Sequence, residues 1–399
     1  MNQSLSNGIC LICWLYLCWL SLCQFEISAF YVANINYSVN KQYRSEINMI
    51  SKDIMLKISN SISESKSTDS GAEFQGTVWN DGAGGGSGAR VGILSDDSTG
   101  SKFFCKIGGL SDYSMLQSEY YGILEIYNTK TIRVPEPICY GSEDYNSFVV
   151  FEKVSIGGYG SYEELAIKLA AMHRSLSPNG MYGWKINNSI GATPQMNNYA
   201  ATWPEFWDKC RLGRILELAK LEGAVFPKEK ELRAKVYEVL RSHSCPPSLV
   251  HGDLWSGEAV NASIICALER LSFRCSKCHY FDVFAIQARH MSVLLYHASL
   301  TSAILSLGNK GFLTDCGTPI IFDPAVYYGD REVDIAMSTL FGTFSSSFYS
   351  AYNEAWPLPP GYEQRRIIYN LYHILNHYIL FGGSYLNEAN AMIAAILRM

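Results

Sequence analysis

The feature that most constrains this chain is a pair of short apolar runs that each break at an aspartate. "SLVHGDLWSG" reaches Asp253, and "TPIIFDPAVYYGDREVD" reaches Asp323, with Asp334 closing the stretch. A short apolar run bounded by glycine and polar residues reads as a buried strand. Adjoining strands bring their acidic ends into one cleft, so the two stretches belong to one folded body. An aspartate in such a place can accept a hydroxyl proton. In loops of the H-x-D-x-x-x-x-N type an asparagine five residues later holds a magnesium ion. Here Glu258 occupies that place.

The 399 residues leave room for two or so lobes with a substantial core. A formal net charge of -5 provides no large positive field, so nucleic acid is not an expected partner. Of the 12 cysteines, Cys10, Cys13, Cys18 and Cys23 crowd the start, and Cys266, Cys275 and Cys278 follow Glu258. Cys105, Cys139, Cys210, Cys245 and Cys316 are scattered and odd in number, which argues for a reducing compartment and against a disulfide framework.

Residues 1–70 read as a targeting or disordered leader. Ile9 to about Cys23 is apolar, with the length of a signal h-region rather than of a span of roughly 20 residues. No Lys or Arg precedes it. Tyr31 to about Ser70 is rich in Ser, Asn and Lys, without a sustained period. Ser28-Ala29-Phe30 resembles the cleavage site of bipartite plastid-targeting sequences in algae with complex plastids. A plastid location is the expectation, with no stable membrane association. The alternative is a cytoplasmic protein that starts at Met49 or Met55.

From about Gly71 the pattern becomes regular. "DGAGGGSGARVGILSDD" and "SKFFCKIGG" read as a hairpin over a ligand, and "YSMLQSEYYGILEIYN" places Met115, Leu116, Glu119, Ile123 and Ile126 at helical spacing. "FVVFEKV" is a further strand. Beyond Gly160 the runs "SYEELAIKLAAMHRSL", "ATWPEFWDKCRLGRILELAKL", "EKELRAKVYEVLRSH", "EQRRIIYNLYHILNHYILFGG" and "NEANAMIAAIL" are helical.

Phosphoryl transfer needs a cradle for the polyphosphate, a cation on its oxygens, magnesium ligands and a base at the attacking hydroxyl. Each has a candidate in order along the chain. Gly84, Gly85, Gly86 and Ser87 would let backbone N–H groups approach phosphate, although such a cluster alone is more simply a linker. Lys106 ends a strand and Glu119 lies on the next helix, as needed for a lysine steered onto phosphates; as isolated charges they would be a solvated pair. Asp253 is the candidate base and Asp323 a magnesium ligand, since Mg²⁺ selects carboxylate oxygens. Asp334 reads as a brace for the loop. Any one aspartate could be a cap or turn residue; the ordered set is what points to chemistry.

"LVHGDLWSG", "IIFDPAVYYGDREVDIAM", "FGTFSSSFYSAY" and "LNHYILFGG" closely resemble the fructosamine kinases, also called ketosamine-3-kinases or protein-ribulosamine 3-kinases. "FFCKIGG", "MLQSEYYGILEI", "RVPEPICYG" and "YAATWPEFW" extend the resemblance from about Gly71 to the C-terminus, one block excepted. The D-L-W-S-G run separates it from aminoglycoside and choline kinases, which share the fold. The resemblance implies an α+β, bilobal protein-kinase-like fold (aminoglycoside phosphotransferase-like), with a nucleotide-binding lobe over 71–154 and a helical lobe over 155–399. It implies ATP and Mg²⁺, with Asp253 as proton acceptor and Lys106 and Glu119 as the nucleotide-lobe pair. Glu152, Lys153 and Val154 would form the hinge whose backbone binds adenine, and Trp255 would lie near the sugar. The implied reaction phosphorylates the 3-hydroxyl of ketosamines on glycated proteins or small amines; the product decomposes and frees the amine. Some plant-type members carry a redox-active cysteine in the glycine loop, where this chain has Ser87, so that switch is not expected here. A nucleotide-binding pseudokinase with a split loop and a kinase of free sugar-amines are the alternatives.

The excepted block is Glu258 to Gly308. Its removal joins Gly257 to Asn309 and gives "HGDLWSGNKGFLTDCGTPIIFDPA", with the asparagine five residues after Asp253 and about a dozen before Asp323. Gly-Glu can be encoded GGT-GAR, a splice-donor consensus, and Leu-Gly as TTA-GGN, which holds an acceptor AG. The block therefore reads as a retained intron, and Asn309 as the displaced magnesium ligand. Its Cys275-Ser-Lys-Cys278-His279 matches a haem-attachment pattern, but nothing else supplies a cytochrome context; zinc would lack a second ligand pair beyond His290 and His297. Met291 to Leu307 is too short for a membrane span and is interrupted by His297.

Overall fold

The structure, a computed structural model, describes residues 52–66, 78–81, 89–96, 100–256 and 308–399. Gly84 to Ser87, residues 1–51 and nearly all of the Glu258–Gly308 block lie outside them. By chain contacts residues 1–56 form one unit and 57–399 another.

The helix α1, Lys52–Lys66, corrects the reading of Tyr31 to about Ser70 as lacking a sustained period. Ile54, Ile58 and Ile62 recur every four residues and are all buried, a stripe that the surrounding Ser, Asn and Lys concealed. The Ser65 hydroxyl donates to the Ile138 carbonyl at 2.8 Å.

An antiparallel sheet follows, made of β1 (Val78–Asp81), β2 (Arg90–Ser95), β3 (Lys102–Gly109), β4 (Pro137–Glu143) and β5 (Asn146–Glu152), in the order β1-β2-β3-β5-β4. Strand alternation decides the environment of Lys106. Cys105 and Ile107 turn one way into the apolar core, so the lysine between them emerges on the other face. Helix α2 (Tyr113–Thr129) packs on this sheet through Leu116, Ile123 and Ile126; Glu119, one turn after Leu116, shares its inward side.

The rest of the described chain is largely helical. Ser161 caps α3 (Tyr162–His173) by accepting the Glu164 amide at 3.1 Å. A hairpin of β6 (Asn188–Ile190) and β7 (Thr193–Gln195) leads to α4 (Trp203–Phe206), a π-helical turn over Trp207–Leu212, and α5 (Gly213–Leu221). Then come α6 (Glu229–Arg241), β8 (Ser248–Val250), β9 (Lys310–Phe312), β10 (Pro319–Ile321) and β11 (Tyr327–Gly329). Helices α7 (Glu332–Met337), α8 (Ser346–Ala355), α9 (Tyr362–Phe381) and α10 (Tyr385–Leu397) close the chain. The five expected helical runs all appear. Among the described residues no helix is long and apolar enough to cross a membrane. Cys105, Cys139, Cys210, Cys245 and Cys316 are free thiols.

The strand β8 pairs with β11, and β9 with β10, both antiparallel. Asp253 leaves β8, Asp323 follows β10, and Asn309 precedes β9. Two small two-stranded sheets thus carry all three to one place.

Candidate active site

The loop after β8 is held from behind. Asp334, in the first turn of α7, accepts the amides of His251 at 2.7 Å and Gly252 at 2.8 Å. Gly252 sits at φ +81°, and a Cβ there would fall 2.2 Å from the Ala325 carbonyl oxygen. Gly252→Ala is expected to destabilise the fold by about 2 kcal/mol or more, because it combines a left-handed φ with a backbone clash. A lowered melting temperature checks this; an unchanged one contradicts the loop geometry.

Asp334 is itself held by a buried chain that was not read from the sequence. Arg331 donates to the Tyr352 hydroxyl at 3.0 Å, Tyr352 lies 2.7 Å from His173 Nδ1, and His173 Nε2 lies 3.0 Å from Asp334. With Arg331 donating, the Tyr352 proton points to Nδ1, which assigns the His173 proton to Nε2. Burial would raise the Asp334 carboxyl, but His173 and the two amides hold it below the ordinary value. Only the apolar stripe around His173 was legible locally; its partners are more than 150 positions away.

Asn309 donates from Nδ2 to the Asp253 carbonyl at 2.7 Å and to its carboxylate at 3.1 Å. Burial pushes the Asp253 carboxyl up to about 7, opposed by the Asn309 hydrogen bond and reinforced by Asp323 and Asp334. The amide of Asn309 donates to the Trp255 carbonyl at 3.1 Å. With Glu258–Gly308 removed, these two residues would stand at i and i+3, the pair that a β-turn bond joins. Gly308, just before Asn309, has a left-handed φ of +61°. The two flanks of the block therefore meet as a turn would.

Across the cleft, Lys106 Nζ lies 2.7 Å from Glu119 and 2.8 Å from Asp323. Burial opposes the lysine charge, but the two carboxylates raise it above the ordinary lysine range. Enclosure would raise Asp323 as well, yet the Lys106 ammonium keeps it below the usual carboxylate value. Its side chain is about half exposed, at 51 %, and its backbone is left-handed at φ +52°. Nothing local in "IIFDPA" announces that strain.

The three hinge candidates differ. The Glu152 side chain is turned away, bonded to Arg133 and accepting the Glu136 amide at 3.0 Å, and its own amide donates to the Glu136 carbonyl at 2.8 Å. The Lys153 amide reaches the Lys102 carbonyl at 3.4 Å. The Val154 amide meets no acceptor among the described residues. Trp255 is half-buried, edge-on to Phe341 with ring centroids 6.2 Å apart. Gly84, Gly85, Gly86 and Ser87 lie outside the described residues.

A five-stranded sheet with a lysine–glutamate pair, above helices that present an Asp–Asn loop and a second aspartate, defines a protein-kinase-like phosphotransferase. The model of the fructosamine kinase family matches residues 58–266 and 283–399, and the chain belongs to that family. A probable ketoamine kinase of Synechocystis sp. is 36% identical over 300 residues, 75% of this chain and 84% of the relative. The chloroplastic protein-ribulosamine 3-kinases of Oryza sativa subsp. japonica and Arabidopsis thaliana are 35% and 33% identical over 75% and 74% of this chain, and over 73% and 76% of theirs. The crystal structure of a putative fructosamine-3-kinase from Haemophilus somnus superposes with a TM-score of 0.67 at 25% identity, covering 85% of this chain and 96% of the other. The fold expectation is met. The kinase family implies use of ATP and ketosamine acceptors.

Proposed function

We propose that this chain transfers the γ-phosphoryl group of ATP to the 3-hydroxyl of ketosamines carried on proteins, ribulosamine or fructosamine, as a deglycation step. The supporting observation is Asp253, an otherwise ordinary aspartate whose carboxyl lies near neutrality while Asn309 fixes its direction. A base with that affinity takes the hydroxyl proton as the oxygen bonds to phosphorus; the phosphorus–oxygen bond to ADP breaks, and the proton later passes to water. Lys106, steered by Glu119, holds the nucleotide phosphates, and Gly84 to Ser87 are the proposed phosphate loop. The free Val154 amide is the hinge donor for adenine, and the carbonyls of Glu152 and Lys153 flank it. Trp255 lies beside the sugar.

Magnesium fits the donor set, since the Asn309 amide oxygen and the half-exposed Asp323 carboxylate are both hard oxygen ligands. Bound there, it would neutralise charge on the phosphate oxygens. Asp334 touches neither substrate and positions the Asp253 loop.

The test is phosphate transfer to peptides glycated with ribose or with glucose, alongside a free sugar-amine. Transfer to either peptide supports the reading, and their ratio assigns the sugar. Transfer to the free sugar-amine alone favours the small-molecule alternative, and ATP binding without transfer favours a pseudokinase. We also place the protein in a plastid, on the Ser28-Ala29-Phe30 motif and the chloroplastic plant relatives. A uniform cytosolic signal from a fluorescent fusion of the first seventy residues would defeat that placement.

A further inference from the structure

We propose that Glu125, Tyr328 and Lys185 form a clasp that fixes helix α2 in its working position and so sets the affinity for nucleotide. This deepens the kinase reading and rests on it. Glu125 lies six residues beyond Glu119 on α2, about 9 Å further along the helix axis. Tyr328 donates its hydroxyl proton to Glu125 Oε1 at 2.8 Å, and Lys185 Nζ lies 3.1 Å from Oε2. Both oxygens of one carboxylate are therefore taken by groups from outside the sheet and its helix.

These two partners arrive together. Tyr328 and Gly183 exchange backbone hydrogen bonds, each at 2.9 Å, so the segment that carries Lys185 is bonded to strand β11. The Lys185 ammonium also lies 5.3 Å from the centroid of the Tyr121 ring, one turn earlier on α2. Between the two glutamates, Gly122 brings the helix against the chain just after Asp323. A Cβ there would lie 3.5 Å from Val326 and 3.6 Å from Pro324.

The connections close into a ring. Asp323 bonds Lys106, Lys106 bonds Glu119, α2 links Glu119 to Glu125, Glu125 bonds Tyr328, and a short strand returns to Asp323. A ring of this kind has one arrangement in which every bond is made. Any rotation of α2 that withdraws Glu119 from Lys106 must also pull Glu125 from Tyr328 and Lys185. The clasp thus holds the phosphate-binding lysine aligned before nucleotide arrives, with no separate activating step. Glu125, Tyr328 and Lys185 are positioning residues; none touches substrate.

The test uses the full chain with Tyr328→Phe, Glu125→Gln and the double variant. Hydrogen exchange over Tyr113–Thr129 and the Kd for ATP are measured without acceptor, then KM for a glycated peptide. The expected result is faster exchange in α2 and about tenfold weaker ATP binding in each single variant, with peptide KM within about twofold. The double variant is no worse than the worse single, because one link is being cut. Lys185→Met, at a half-exposed position, gives a smaller shift in the same direction and guards against a variant that fails to fold. The proposal is overturned by unchanged α2 exchange, by equal rises in both constants, or by additive losses. Normal ATP binding with no transfer to any peptide would instead sink the acceptor reading and leave the clasp standing. A parent chain that binds no ATP would remove the clasp's stated role.

Discussion

Asp253→Asn lowers turnover by about a thousandfold, the loss expected when a positioned base is removed, and at pH 8 it makes the protein more stable. The stability gain follows from the same burial that creates the base. With its folded value at about 7, above roughly 3.9 in the unfolded chain, the native state binds more protons over that interval. Stability attributable to Asp253 is therefore greatest below pH 4 and is lost as pH rises toward 7. Above that, holding the carboxylate charged costs on the order of a few kcal/mol, and the neutral amide avoids the cost. Asn309 can still donate to the oxygen of the new side chain. Melting curves should separate the two proteins by several degrees at pH 8 and converge near pH 4. In the parent enzyme kcat/KM should climb between pH 6 and 8, since the proton acceptor must be unprotonated. A variant less stable than the parent at pH 8, or a flat rate profile, would sink the account of Asp253.

Removal of Glu258–Gly308 is expected to raise turnover at least tenfold and to stabilise the fold. The bond from the Asn309 amide to the Trp255 carbonyl becomes a local turn through Ser256 and Gly257. In the flexible-chain limit, closing roughly fifty residues across that bond costs about 3 kcal/mol more than closing two. Asn309 carries both the turn and the bonds to Asp253, so tightening it should also fix the base. Equal turnover with and without the block would mean that the segment is a tolerated insertion. On the retained-intron reading, RT-PCR across the junction detects transcripts that lack it; their complete absence from every sample contradicts that origin.

Much of the site was legible because its signals are local. Lys106 stands out as a charge inside "FFCKIGG", and Glu119 keeps helical register with Leu116 and Ile123. The spacing that restores Asn309 needed only a count along the chain. Other parts left no local mark. The isoleucines of α1 are diluted by polar neighbours, and Glu152 gives no hint that it turns to Arg133. His173, Tyr352 and Arg331 are unremarkable until the fold buries them around Asp334. Gly84 to Ser87 and residues 1–51 lie outside the described residues.

By itself, then, the sequence determined the longer helices and the most apolar strands beyond Gly71, because period is a property of neighbouring residues; the strands Pro137–Glu143 and Asn188–Ile190 and the helix Ser346–Ala355 were not read from it. It also determined the identity and order of the chemical groups. Tertiary structure alone decided what those groups are worth. Lys106 meets Asp323 across more than two hundred positions, and Asp253 moves toward neutrality only when packing removes its water. Electrostatic environment depends on distance through space, which no local pattern encodes.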